Sequence, residues 1–291
     1  MKPLTRTAIS AAPRALGWIR TTRSARPLHI FDQAINLVNQ DDQVLSLVTP
    51  IIGNGPFSLV VAGGGFQGVA SSQSSISVGQ ETLTVGSLSI DCRQVKHWNP
   101  RPNWKPLTRS QLHILTQSLH AELSATVLDS NFPAVLASAG SVVQVGTPFA
   151  AAASRAVGQI KSGLQHDEQK LIFQGAAALA GLGIGLTPAG DDFLVGLIYG
   201  LWARAAEKAK TLCRAIAQTA GPLTSTLSAA WLEVASQGEA AQDWHELILA
   251  IQAGNTASIG PALQHILHTG ETSGADALTG YFFALNQEKS I

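Results

Sequence analysis

Charge is scarce in this chain: only 13% of its 291 residues are Asp, Glu, Lys or Arg, against 45% hydrophobic. The 19 basic and 19 acidic residues cancel. The chain therefore lacks the positive field that a generic nucleic-acid or anionic-membrane binder needs. The apolar balance excludes disorder and implies much internal or interface surface, with partner subunits expected to cover part of it. Cysteine is nearly absent. Cys92 and Cys213 have no metal-ligand spacing and no inferable disulfide, which fits a reduced, cytoplasmic protein. No apolar run reaches the ~18 residues of a membrane span; the closest, Leu171 to Ala203, is broken by Pro188, Asp191 and Asp192. Also missing are HExxH and a Gly-x-Ser-x-Gly elbow, so neither zinc hydrolysis nor covalent serine catalysis is indicated. His265 and His268 lie one helical turn apart, with no third ligand nearby.

The first 27 residues hold Lys2, Arg6, Arg14, Arg20, Arg23 and Arg26, with no acid before Asp32. They lack the apolar core of a secretory signal and read as a basic arm, frayed or partner-contacting, with an organellar transit peptide as the alternative. Residues 28–106 are β-rich. Strands are expected at Val44–Val48, Phe57–Ala62, Ile76–Val78 and Leu83–Ile90, bounded by turns such as Gly53-Asn54-Gly55-Pro56. A Pro- and Trp-rich stretch, Trp98–Pro106, connects to a second domain. From residue 107 to 291 the period is helical, with helices expected at Arg109–Val127, Pro148–Ser162, Asp167–Ala180, Pro188–Thr211, Leu223–Gln237, Gln242–Ala253, Ile259–Leu267 and Gly274–Gln287. The expectation is an α+β fold, with a small N-terminal β domain, barrel-like or sandwich-like, packed on a larger helical domain.

The helical half carries the stretch richest in chemistry, Gly181-Leu-Gly-Ile-Gly-Leu-Thr-Pro-Ala-Gly-Asp-Asp192. Thr187 reads as an N-cap and Pro188 as the first helical residue. A glycine loop holding Gly183 and Gly185 would then lead into a helix start whose free N–H groups suit an anion. Asp191 and Asp192 fall inside that start about 100° apart, so they cannot do the same job. The segment lacks the Lys-Ser/Thr ending of a Walker loop and the βαβ surroundings of a dinucleotide fingerprint.

This motif has a partner. Gly190-Asp191-Asp192-Phe193-Leu194-Val195-Gly196 aligns without gaps to Gly274-Ala275-Asp276-Ala277-Leu278-Thr279-Gly280, 84 positions on. Two helix starts, each offering one aspartate, would converge on one ligand. Ser273 followed by Asp276 also makes a capping-box pattern. Thr224, Ser225 and Ser228 read as cap and packing hydroxyls, and Asn36 as a candidate site residue from the β domain. Phosphate and carboxylates repel, so their coexistence needs either a Mg²⁺ ion, with Asp192 and Asp276 as its carboxylates, or a carboxylate that orients an amide or urea nitrogen beside the anion. The residues themselves leave both open, along with a Mg²⁺-dependent phosphotransfer or nucleotide-binding enzyme and a non-catalytic assembly subunit.

The segments Gly183–Asp192 with Gly196, and Thr272-Ser273-Gly274-Ala275-Asp276 with Gly280, resemble a bacterial family long described as of unknown function. Its best-assigned member is the AllH-type subunit of oxamate carbamoyltransferase, from allantoin (purine) catabolism. Weaker similarity covers Ala34–Leu37, Gly53–Pro56 and Thr224–Ser228. The family often has proline in place of Ile184 and serine in place of Ala189. The resemblance implies a multi-subunit transferase that cleaves an N-carbamoyl carboxylate such as oxalurate with phosphate, giving carbamoyl phosphate. The site would then comprise Asp191, Asp192 and Asp276 as catalytic carboxylates, with Gly183, Gly185, Thr187, Gly190, Ser273, Gly274 and Asn36 holding substrate or anion. Other subunits would be its partners, with neither nucleic acid nor membrane involved.

Overall fold

A computed structural model of the chain describes residues 4–125 and 148–287. They fall into two compact units, one of residues up to 101 with 240–242, the other of residues 102–239 and 243 onward.

The first unit is one nine-stranded sheet. Its strands are β1 (Leu4–Ala11), β2 (Ala25–Ile30), β3 (Ala34–Asn39), β4 (Val44–Val48), β5 (Ser58–Val61), β6 (Ile76–Val78), β7 (Thr82–Val85), β8 (Leu88–Asp91) and β9 (Lys96–His97), with helix α1 (Pro13–Thr21) after β1. The order β2-β3-β4-β5-β1-β8-β7-β6, with β9 also beside β1, curls into a nearly closed barrel. Strand β1 joins the two halves. Leu4–Thr7 pair in parallel with β8, while Ala8–Ala11 pair antiparallel with β5 after a register shift between Ala8 and Ser10. A bulge bends a strand, which lets β1 serve both directions. Leu37, Leu45, Leu47, Leu59, Val85 and Leu88 fill the interior, covered by Trp18 and Ile19 of α1.

The basic arm expected over residues 1–27 is instead β1, α1 and the start of β2 wherever the chain is described. Its arginines hid a buried row of small residues, Ala8, Ala11, Ala12 and Ala15. Arg6 is used locally: its guanidinium donates to the carbonyls of Gly64 and Gly65 at 2.6 and 2.9 Å and lies over the Phe66 ring. The single strand expected at Leu83–Ile90 is a hairpin. Gly86, at φ +57°, supplies the left-handed residue that a two-residue hairpin turn requires.

The second unit is helical, so the fold is α+β. It contains α2 (Arg109–Ala125), α3 (Pro148–His166), α4 (Gln169–Leu179), α5 (Ala189–Ala205), α6 (Lys210–Ala220), α7 (Thr226–Ser236), α8 (Gln242–Gln252), α9 (Thr256–Leu267) and α10 (Ser273–Leu285). The end of the helix expected at Arg109–Val127 lies outside the described residues. The long helix expected at Pro188–Thr211 stops at Ala205, where Ala206 turns to φ +48°. A 3₁₀ turn and then α6, which has no counterpart among the expected helices, follow.

Helix α5 is the centre of this unit: every residue from Phe193 to Ala203 is buried. Each buried leucine or isoleucine contributes roughly 1.5–3 kcal/mol. The two large polar-tipped side chains on α5 are satisfied, Trp202 by the Ala235 carbonyl at 3.0 Å and Tyr199 by that of Glu239 at 3.1 Å. Among the described residues no helix is long and apolar enough to cross a membrane.

Candidate functional site

Helix α4 ends at Leu179, and the chain reaches α5 through a loop that only glycine can trace. Gly181, Gly183 and Gly185 have φ of +69°, +123° and +104°, a region costly for residues with a side chain. The expected cap is not formed. Pro188 occupies the N-cap position of α5, and its carbonyl accepts the N–H groups of Asp191 and Asp192. Thr187, released from capping, donates its hydroxyl to Asp192 Oδ2 at 3.1 Å. Gly190 closes the turn: its N–H donates to the Leu182 carbonyl, and a Cβ there would run into the Leu179 carbonyl oxygen.

The second motif is built the same way. Helix α9 leads through Gly270, at φ +63°, into α10. The Gly274 N–H donates to the Thr269 carbonyl, and a Cβ on Gly274 would strike the carbonyl of Ile266. Thr272, with no side-chain cap bond, holds the N-cap position, so the Ser273–Asp276 capping box does not form. Ser273 instead faces the first motif, its Oγ 3.1 Å from Thr187 Oγ1.

Helices α5 and α10 pack closely, and their contact is reciprocal. A Cβ on Gly196 would meet the Ala277 carbonyl; a Cβ on Gly280 would meet the Phe193 carbonyl. These are corresponding positions of the 84-residue repeat. The close approach brings the two helix starts together, so Thr187, Asp192 and Ser273 form one hydrogen-bonded group with the Asp276 carboxylate acting on Asp192. Helix N-termini carry partial positive charge, and two of them meet here.

The aspartates differ in their partners. Asp191 is buried and turned from this group: Oδ1 accepts the Gly181 N–H at 3.0 Å and Oδ2 the Thr224 hydroxyl. Burial raises its pKa, and the bonds from Thr224, Gly181 and Ser228 oppose that rise. Asp192 is pushed up to about 8, first by burial and then by the charges of Asp276 and Asp191, against the hydrogen bonds from Ser273 and Thr187. The raised pKa favours the protonated carboxyl at neutral pH, which lessens its repulsion with Asp276. Asp276 is fully buried.

Gly183, Gly185, Gly190 and Gly274 lie in the two turns around this group. Ile184 stands 91% exposed on the loop, and Leu186 is exposed as well. Asn36 sits in the other unit, on β3, where its Oδ1 accepts the Ser46 hydroxyl at 2.5 Å. The role of Thr224 depends on a partner 33 residues away, and its hydroxyl-rich neighbourhood was the only trace of it in the sequence. As for Mg²⁺, the commitment of Asp191 leaves Asp192 and Asp276 as the carboxylates that could hold it. Among the described residues, the three-ligand cluster is Asp243, Glu246 and His265, none of which belongs to this group.

Comparison with known proteins agrees with this architecture. No solved structure matches the chain. Residues 8–97 match the AllH family N-terminal domain, and residues 179–285, which contain both motif helices, match the family described as oxamate carbamoyltransferase subunit AllH. The chain belongs to the AllH family.

Proposed function

We propose that the chain is a subunit of a carbamoyltransferase that acts on an N-carbamoyl small carboxylate, of the oxalurate or oxamate kind, with phosphate or carbamoyl phosphate as the second substrate. The observation that carries this reading is the meeting of the α5 and α10 starts, with Thr187 Oγ1 and Ser273 Oγ 3.1 Å apart and Asp192 bonded to Thr187. Two positive helix ends suit a phosphate group, and the carbamoyl group offers N–H donors to a buried carboxylate. Asp276 fits the role of acceptor for those donors.

In the direction of breakdown, a phosphate oxygen attacks the carbamoyl carbon and the bond from that carbon to the substituted nitrogen breaks. The departing nitrogen gains one proton, for which the Asp192 carboxyl, its pKa raised to about 8, is the donor in this reading. The phosphate's own proton restores Asp192. Gly183, Gly185, Gly190 and Gly274 form the turns at the two helix starts. Other subunits of the complex are the partners, as the word subunit in the family description supports.

The test is a carbamoyl phosphate assay on the complex assembled with its partner subunits, using oxalurate and phosphate. Asp192→Asn and Asp276→Asn are each expected to keep phosphate binding and lose turnover while folding cooperatively. Full turnover in both variants would contradict the reading.

A further inference from the structure

We infer that Thr224 and Ser225, just before α7, are positioning residues for the glycine loop, with Asp191 as the post that carries their hold. This rests on the anion-site reading above for its functional meaning and on geometry for its existence. Thr224 donates its hydroxyl to Asp191 Oδ2, and Asp191 Oδ1 takes the N–H of Gly181, the first residue of the loop. Ser225 donates its hydroxyl at 3.0 Å to the carbonyl of Leu186, near the loop's far end, and accepts the Ser228 N–H at 3.2 Å as the cap of α7.

Both ends of the loop are thus fixed to one place, the start of α7. Between them, Leu182 and Gly183 are tied to and packed on the start of α5, while the tip at residues 184 and 185 is open. Ile184 is 91% exposed, and a Cβ on Gly185 would meet nothing within 4 Å. Glycines in an open loop give little conformational preference of their own, so its course depends on its ties, to α5 through Leu182 and Thr187 and to the start of α7 through Asp191 and Ser225. Asp191, 1% exposed and with both oxygens engaged, points about 100° around α5 from Asp192. It serves the framework and does not reach the reacting atoms.

The experiment measures amide hydrogen exchange in the full chain, with phosphate affinity from melting shifts, for wild type, Thr224→Val, Thr224→Ser and Ser225→Ala. In Thr224→Val, exchange over residues 181–187 is expected to rise about tenfold, the factor for one hydrogen bond lost from a carboxylate. Exchange over α10 stays unchanged, phosphate affinity falls by a similar factor, and Thr224→Ser restores both. Should Thr224→Val fail to fold, Ser225→Ala carries the same test from the exposed end of the loop. Wild-type exchange over 181–187 in both Thr224→Val and Ser225→Ala would overturn the inference, whatever phosphate does. Faster loop exchange with undiminished phosphate binding would support the clamp and contradict the anion site, which separates the two claims.

Discussion

Gly196 and Gly280 are counterparts across the α5–α10 contact: each lays its bare Cα against a carbonyl of the other helix, that of Ala277 for the first and of Phe193 for the second. The repeat of 84 residues is therefore a packing device as well as a sequence likeness. Its effect is to bring two helix starts within hydrogen-bonding distance of each other.

Alanine at either glycine forces those backbones apart. Gly196→Ala and Gly280→Ala should each cost about 3 kcal/mol, the upper end for overpacking in a core. Because the two contacts share one interface, the double variant should lose less than the sum. Urea unfolding of the three variants checks both points; near-neutral single variants would mean that the helices separate easily.

Gly190→Ala bears on a different expectation. Helix propensity alone favours alanine there by roughly 1 kcal/mol, so a glycine suggests a close approach to the backbone by a ligand or a neighbouring helix. The Leu179 carbonyl occupies the space. The variant should lose stability as well as anion binding, and an unchanged melting temperature would contradict this packing.

The titration of Asp192 gives a signed pH dependence. Its carboxyl, pushed up to about 8 by burial, keeps a proton that the unfolded chain releases near pH 4. The folded state then binds the extra proton, so this contribution to stability is full below about pH 4 and is lost as pH rises toward 8. Denaturation midpoints measured across that range should fall in the wild type and flatten in Asp192→Asn. Parallel pH profiles for the two proteins would show that Asp192 is ionised throughout.

Much of this site was legible because its signals are local. The Thr-Pro break, the apolar run after Asp192 and the recurrence of Gly, Asp, Leu and Gly all lie within short stretches, and the helices they announce are present. What stayed hidden depends on distant partners. Thr187 looked like a cap because nothing nearby shows that Pro188 takes that position, or that Ser273 waits for its hydroxyl. The bond from Thr224 to Asp191 was hidden because Thr224 is far along the chain. In the β unit, β1 and β2 escaped because Arg6, Arg26 and Pro27 interrupt their apolar rows, β3 because Asn36 and Asn39 are buried among its apolar residues, and β7 and β8 merged because one small turn at Gly86 separates them.

The most direct measurement is the melting temperature of the full chain in phosphate, carbamoyl phosphate and sulfate, against chloride at equal ionic strength. If the α5 and α10 starts hold an anion, phosphate and carbamoyl phosphate at 100 times their Kd add about 2.7 kcal/mol of stability, and Asp276→Asn diminishes the carbamoyl phosphate shift but not the phosphate shift. A response to all three anions no larger than that to chloride would contradict the account.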